Sequence, residues 1–171
     1  METLDDDNAA WLFLNSSPAC RVAAMELFGT LLLWELLLRQ SNSLNYAKLA
    51  IPVATDNRGN SMSILNNKSK TWPSSIILMQ MVWEAHKHSA DIAISHSNRK
   101  WNKWADQLAG GDMDGFNPEL RLHPSIDPTE WDLLRMFTQQ ETLKGVAKNL
   151  RRRQKKRDLR QAEKTKGSLQ Q

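Results

Sequence analysis

The chain has 171 residues, 40% of them hydrophobic, which suffices for one modest domain and is short for two. Its net charge of +4 is unevenly distributed, because residues 141–171 hold 11 Lys/Arg and 3 Asp/Glu whereas the preceding residues hold 12 and 16. A single cysteine, Cys20, excludes an internal disulfide, and the acidic N-terminus lacks the basic and apolar runs of a secretory signal. We therefore expect an intracellular protein, in the cytoplasm or the nucleus.

The first part of the chain predicts an acidic disordered segment over residues 1–10, a short strand and a long helix. The apolar run WLFL at residues 11–14, followed by a turn at NSSP, is typical of a strand. Residues 22–38 form an apolar helix that is short for a membrane span and carries Glu26 and Glu35, so we expect a core helix and no membrane association. The two glutamates fall on opposite sides of this helix, which places one in solvent and the other against a packing surface.

Residues 50–109 have the order strand, helical crossover, strand, helix. The strands are PVATD at 52–56 and DIAIS at 91–95, and Pro73 opens a crossover helix that is apolar on more than one side. A connection of this length predicts parallel strands and a right-handed crossover. The short helix NKWADQLAGG follows and stops at Gly110. The sequence therefore predicts an α/β fold.

The C-terminal part predicts a linker and a basic helix. Residues 111–128 are rich in glycine and proline, as linkers are. The tetrapeptide DPTE then gives a helix start with its aspartate as N-cap. The helix predicted over 129–171 begins amphipathic, with Trp131, Leu134 and Phe137 on one face, and becomes almost wholly charged. We expect its end to have no core to pack on.

Three acids occupy defined positions in these elements: Glu26 in the apolar helix, Asp56 at the end of the first parallel strand, and Asp106 in the helix after the second. Open α/β sheets bind ligands at the carboxyl ends of their strands, and carboxylates gathered there repel unless a cation binds. Two Mg²⁺ ions on such oxygens would activate water and stabilise the leaving oxygen in phosphodiester cleavage. Other roles stay open, since Asp56 could cap a helix and the other two acids could lie at the surface.

The order of these motifs resembles the ribonuclease H domain that follows reverse transcriptase in retroelement polyproteins. RVAAMELFGTLLLWELL is similar to the family's helix with the second catalytic acid, VATDNRGN to its strand ending in the third, and SHSNRKWNKWADQLAG to its closing motif. The resemblance covers residues 11–110 and implies that Glu26, Asp56 and Asp106 are catalytic Mg²⁺ ligands with Asn102 as an outer-shell partner. It also implies hydrolysis of RNA in RNA/DNA hybrids and association with a polymerase domain in a polyprotein.

The same resemblance implies an incomplete domain. The family's first strands, which supply the first catalytic Asp, have no counterpart before WLFL, so we expect a three-layer ribonuclease H-like fold that lacks them and leaves an open sheet edge. Asp5, Asp6 and Asp7 could replace the missing acid only if a strand held them. We therefore expect a fragment of a reverse-transcriptase ribonuclease H domain, inactive or very weak as this chain.

The basic run RRRQKKR at residues 151–157 is a second candidate functional feature. Its cations could contact phosphates, with an affinity that falls steeply as salt rises, and it also resembles a nuclear-localisation run; a solvated tail is the other interpretation. The alternative to a nuclease is therefore a non-catalytic nucleic-acid-binding or interaction protein. Trp101 and Trp104 could stack on nucleic acid or pack in the core. The cations are Arg151, Arg152, Arg153, Lys155, Lys156 and Arg157.

Overall fold

The computed structural model describes residues 9–14, 17–41, 49–98, 100, 102–122 and 124–168. These residues form a mixed α/β fold in which helices predominate around two parallel strands. The acidic segment expected over 1–10, with Asp5, Asp6 and Asp7, lies outside them apart from its last two residues. The elements in chain order are α1 (Ala10–Phe13), α2 (Pro18–Ser41), β1 (Leu49–Thr55), α3 (Arg58–Leu65), α4 (Ser74–Lys87), β2 (Ala90–His96), α5 (Lys103–Ala109), α6 (Asp132–Thr138) and α7 (Gln140–Ser168), with 3-10 turns at Pro118–Leu120 and Pro128–Glu130.

The two strands pair in parallel, which confirms the prediction from the crossover length. The register runs from Leu49 opposite Ala90 to Thr55 opposite His96. Alternate residues of β1 are buried, as expected for a strand with one face against helices. The amide of Ser97, just after β2, donates to the carbonyl of Thr55 at 2.9 Å. Thr55, and with it Val53 and Ile51, therefore turn their backbone groups toward β2.

The other edge of β1 has no strand beside it within the described residues. The backbone groups of Ala50, Pro52 and Ala54 face this edge, because they alternate with the residues that bond to β2. Proline has no N–H to donate. Because Pro52 faces the outer edge, its missing N–H removes no backbone hydrogen bond between β1 and β2.

Helix α2 forms the centre of the core. Its buried side chains include Phe28, Leu31 and Trp34, and the helix packs against α1, α4 and β1. The predicted separation of the two glutamates is also found, because Glu26 is exposed whereas Glu35 is half-buried and accepts a 2.9 Å hydrogen bond from Arg39 Nε. Within the described part of the chain, no helix combines the length and the apolarity needed to cross a membrane.

The strand predicted for residues 11–14 is wrong, because the run forms the single helical turn α1. The Leu12 amide bonds to the Ala9 carbonyl at 2.8 Å, and both Trp11 and Leu12 are buried. In a strand these neighbouring side chains would point to opposite faces, whereas a turn lets both face the core. Trp11 packs edge-on against Phe28 of α2, with ring centroids 5.3 Å apart.

Helix α4 is buried on several sides but not all around. It packs against α2, α6 and β2, which agrees with the prediction from its apolar circumference. Three positions of the apolar circumference on which this prediction rests nevertheless remain nearly half exposed: Met79, Val82 and Trp83. The more fully buried positions are Ile76, Ile77, Leu78 and Met81.

The predicted C-terminal helix is divided into a turn and two helices. The Asp127 side chain accepts from the Thr129 amide at 2.8 Å, which confirms the capping role but caps a 3-10 turn. Helix α6 follows, with Trp131 and Leu134 buried in the same core as α2. The extended backbone of Gln139 then separates α6 from α7.

A buried glutamine attaches α6 to α4. The Gln80 side chain is fully buried, and its Oε1 accepts from the amides of Leu133 at 2.8 Å and Leu134 at 3.2 Å. Its Nε2 donates to Glu84 at 2.7 Å. Since the first amides of a helix have no partner within that helix, Gln80 supplies from α4 the acceptor that α6 lacks.

A surface contact supports the same junction. The Trp83 indole N–H donates to the Asp132 carboxylate at 3.0 Å, and Lys87 lies 3.5 Å from the same oxygen. The hydrogen bond from Trp83, and then the charge of Lys87, hold the pKa of Asp132 below its ordinary value. The carboxylate therefore stays charged at neutral pH.

We predict that Gln80→Ala lowers the free energy of unfolding by about 1 to 3 kcal/mol, because one buried and one partly buried amide of α6 lose their acceptor. Urea unfolding followed by tryptophan fluorescence measures the loss. Gln107→Ala is the matched control, because Gln107 is exposed and its side chain donates to the exposed Asp112. The control is expected to change stability by less than about 0.5 kcal/mol, and an equally small effect of Gln80→Ala would contradict the capping role.

Candidate functional site

The carboxylate of Glu26 lies at the carboxyl end of β1. Its Oε2 accepts a short hydrogen bond from Nδ2 of Asn57, the residue that follows Asp56. Glu26 belongs to α2 and Asn57 is the N-cap of α3, so this contact connects two residues that are 31 positions apart in sequence. The structure thus brings one predicted acid to the residue next to a second.

Asn57 also begins α3, which fixes the orientation of its side chain. Its Oδ1 accepts from the Asn60 amide at 3.0 Å, as an N-cap does, while its Nδ2 is directed to Glu26. Gly59 makes room for this arrangement, because a Cβ there would lie 3.2 Å from the Asn57 oxygen. Asn60 is buried and donates to the Ala23 carbonyl at 2.8 Å, which attaches α3 to α2 a second time.

Asp56 itself is half-buried between the last residue of β1 and the cap of α3. The sequence left open that it caps a helix, but the capping side chain is that of Asn57. The Thr55 hydroxyl accepts from the Asn57 amide at 3.2 Å, so polar groups on both sides of Asp56 are engaged in turning the chain.

Asp106 lies on α5, after the second strand of the parallel pair. Every residue of this helix is exposed, including Trp104, which is 76% exposed. Asn102 lies one turn earlier, and its carbonyl accepts from the Asp106 amide at 3.0 Å. Within the described residues no hydrogen bond joins the Asp106 side chain to Glu26, and Trp101 lies outside those residues.

The chemistry of the donor set suits Mg²⁺, but the described residues do not gather the three acids. Carboxylate oxygens are ligands that Mg²⁺ prefers, and it binds proteins through one or two carboxylates together with substrate phosphates. Among the residues that the structure describes, no group of three or more His, Cys, Asp or Glu side chains is close enough to hold a metal ion. The described residues therefore bring Glu26 to the residue next to Asp56, while Asp106 lies on a separate exposed helix.

The predicted basic residues all lie on α7. This helix contacts the body through its first turns, where Leu143 packs against the core, and all residues from 151 to 162 are exposed. No ion pair neutralises the six predicted cations within the described part of the chain. They are Arg151, Arg152, Arg153, Lys155, Lys156 and Arg157.

Sequence reasoning missed Asn57 and Asn60, which connect α2 to the strand end. A signal was present in the segment TDNRGN, because asparagine directly after a strand often caps the next helix. The sequence could not reveal that the same amide would reach Glu26 on α2, since this contact depends on how α2 packs against β1.

Comparison of the chain with protein-family models, with curated proteins and with solved structures finds no match.

We predict that Asn57→Asp lowers the free energy of unfolding at low salt. The new side chain keeps an oxygen for the α3 cap but sets a second carboxylate against Glu26, which costs about 1 kcal/mol at a solvent-exposed site. In a Glu26→Gln background the loss should disappear, because a glutamine amide can donate to Asp at 57. Urea unfolding of the four proteins measures the coupling, and an equal loss in both backgrounds would contradict the contact.

Proposed function

We propose that residues 11–110 are a partial ribonuclease H-like domain of the reverse-transcriptase type, whose complete form hydrolyses RNA in RNA/DNA hybrids with Mg²⁺. The observation that carries this proposal is the contact of Glu26 with Asn57, which brings a helix acid to the residue next to Asp56. The parallel pairing adds support, because the carboxyl ends of β1 and β2 lie at one edge of the sheet. Asp106 follows β2 along the chain.

In the complete form that this proposal describes, Glu26, Asp56 and Asp106 would hold the metal, with Asn102 as the outer-shell partner of Asp106; within the described residues of this chain the three acids are not gathered. Mg²⁺ would activate the attacking water and stabilise the leaving oxygen. Asn57 keeps Glu26 at the strand end by donating to one of its oxygens. The exposed Trp104 offers a surface on which a base can stack.

Three carboxylates are few for two Mg²⁺ ions. Within the described residues, no strand lies on the outer edge of β1 and none adds an acid beside Asp56. We therefore expect this chain by itself to cleave RNA/DNA hybrids very weakly or not at all. In the proposal, the remaining strand and acid belong to a polymerase-associated parent.

We expect Mn²⁺, a paramagnetic substitute for Mg²⁺ with similar ligand preferences, to broaden the NMR signals of Asn57 and its neighbours. Asp56→Asn should weaken this broadening, because the site loses a charged ligand. Asp91→Asn should not, because Asp91 lies at the opposite end of β2 and makes a matched control. Equal broadening in all three proteins would contradict the site.

The companion measurement is cleavage of a labelled RNA/DNA hybrid with Mg²⁺, for which we expect a very weak signal or none. Robust cleavage that Asp56→Asn abolishes would support the ribonuclease assignment and overturn the expectation of an incomplete site. Robust cleavage unaffected by Asp56→Asn would contradict the assignment of this acid.

A second candidate function is nucleic-acid binding through α7, which the exposure of its six cations favours. Phosphate contacts by Lys and Arg release counterions, so the affinity should fall steeply as the salt concentration rises. This function requires no chemistry at the acidic site.

We predict that deletion of residues 141–171, or replacement of the six cations by glutamine, abolishes duplex binding and its salt dependence. The glutamine protein keeps the helix, which separates the loss of charge from any loss of packing around Leu143. Deletion of residues 163–171 alone retains the six cations and is the matched control. Fluorescence anisotropy at two salt concentrations measures binding, and binding unchanged by the longer deletion would exclude α7 as the site.

A further inference from the structure

Residues 151–162 of α7 form a basic helical stretch whose side chains are all exposed. Over residues 151–162 every position is exposed, and the stretch holds seven Lys/Arg against one acid, Asp158. The side chain of Asp158 accepts from Gln154 at 2.8 Å and neutralises none of the cations through an ion pair in the described part of the chain. At 1.5 Å per residue the stretch extends for about 18 Å.

The cations are distributed unevenly around the helix axis. At about 100° per residue, two groups lie on opposite sides of α7 and form its lateral faces, and a third group, the middle face, lies between them. The remaining arc, the back face, has no cation. The lateral faces are Arg151 and Lys155 on one side and Arg153, Arg157 and Arg160 on the other, the middle face is Arg152 and Lys156, and the back face is Leu150, Gln154, Asp158 and Gln161.

Cations on both lateral faces and on the middle face favour an anionic partner that surrounds the helix on three sides. A membrane-surface helix needs a broad apolar face, which residues 151–162 lack. A groove with a row of phosphates along each rim needs cations on both lateral faces. The major groove of B-form DNA is about 12 Å wide and admits a helix about 10 to 12 Å across, whereas the major groove of an A-form duplex is deep and narrow.

We propose that α7 occupies the major groove of B-form double-stranded DNA, with its lateral faces on the phosphates of opposite strands and its middle face toward the base edges. The proposal depends on the nucleic-acid-binding function proposed above and specifies its ligand. Arg152 and Lys156 would donate to base-edge acceptors, of which guanine N7 and O6 are the most frequent. Asp158 lies on the back face, about 140° around the helix from the centre of the middle face and next to the lateral Arg151.

The five lateral cations set the expected salt dependence. About 0.9 counterions are released per phosphate contact on B-form DNA, so the logarithm of affinity should fall with the logarithm of salt with a slope of about −4 to −5. The test uses the full chain and three duplexes of one sequence, about two helical turns long: DNA, an RNA/DNA hybrid and RNA. Anisotropy titrations over a salt series should give the tightest binding to DNA.

Two substitutions distinguish groove binding from a general electrostatic attraction between the protein and the duplex. Each changes the net charge of the protein by one unit. Arg157→Gln removes a lateral cation and should reduce the slope on DNA by about one. Asp158→Asn makes the back face less acidic and should leave the slope unchanged. Circular dichroism of both proteins verifies that α7 stays helical.

The possible outcomes distinguish the proposals. Equal affinity for the three duplexes, or a slope that rises with Asp158→Asn as much as it falls with Arg157→Gln, would overturn the groove assignment and leave nucleic-acid binding intact. Absence of binding to every duplex would overturn both. The Mn²⁺ experiment at Asp56 tests the nuclease proposal independently, because no residue of α7 takes part in it.

Discussion

Parallel pairing of β1 with β2 requires the chain to travel from the end of one strand back to the start of the next, and α3 and α4 make that return. The rest of the described fold depends on this constraint. It places the carboxyl ends of both strands at one edge, and it sets α4 against α2 so that a core forms from helices on a narrow sheet. With only two strands described, half of the buried apolar residues of the described core come from α2 and α4.

Polar side chains determine how the helices meet. Gln80 is fully buried and supplies the acceptor for two amides of α6, so the segment after the Gly- and Pro-rich stretch is fixed to α4. Asn60 and Asn57 likewise attach α3 to α2, because the first donates to the Ala23 carbonyl and the second to the Glu26 carboxylate. The contacts of Gln80 and Asn60 satisfy polar groups that are wholly or partly buried, and such groups are costly to leave without partners, whereas the contact of Asn57 with Glu26 lies at the surface. The hydrogen bonds therefore specify which helix faces meet, while apolar burial provides most of the stabilisation.

The two candidate functions occupy separate parts of the molecule and depend on opposite charges. The acids lie around the end of β1 and on α5, where a cation would be needed to hold them together. The cations of α7 extend from the body on a helix whose first turns pack against the core and whose residues 151–162 are exposed. A nucleic acid bound to α7 would keep its phosphates away from the carboxylates unless a metal ion reduced their repulsion.

The sequence by itself determined the order strand, helical crossover, strand and helix over residues 50–109, the parallel pair, the core helix α2 and the basic character of α7, because periodicity, helix signals and charge are local properties. It did not determine that residues 11–14 form a turn of helix, since a run of four apolar residues fits either structure until a packing surface is known. The tertiary structure alone decided that Gln80 caps α6 and that Asn57 reaches Glu26. Both contacts join residues far apart in sequence, and only the packing of α2, α4 and β1 brings their side chains within hydrogen-bonding distance.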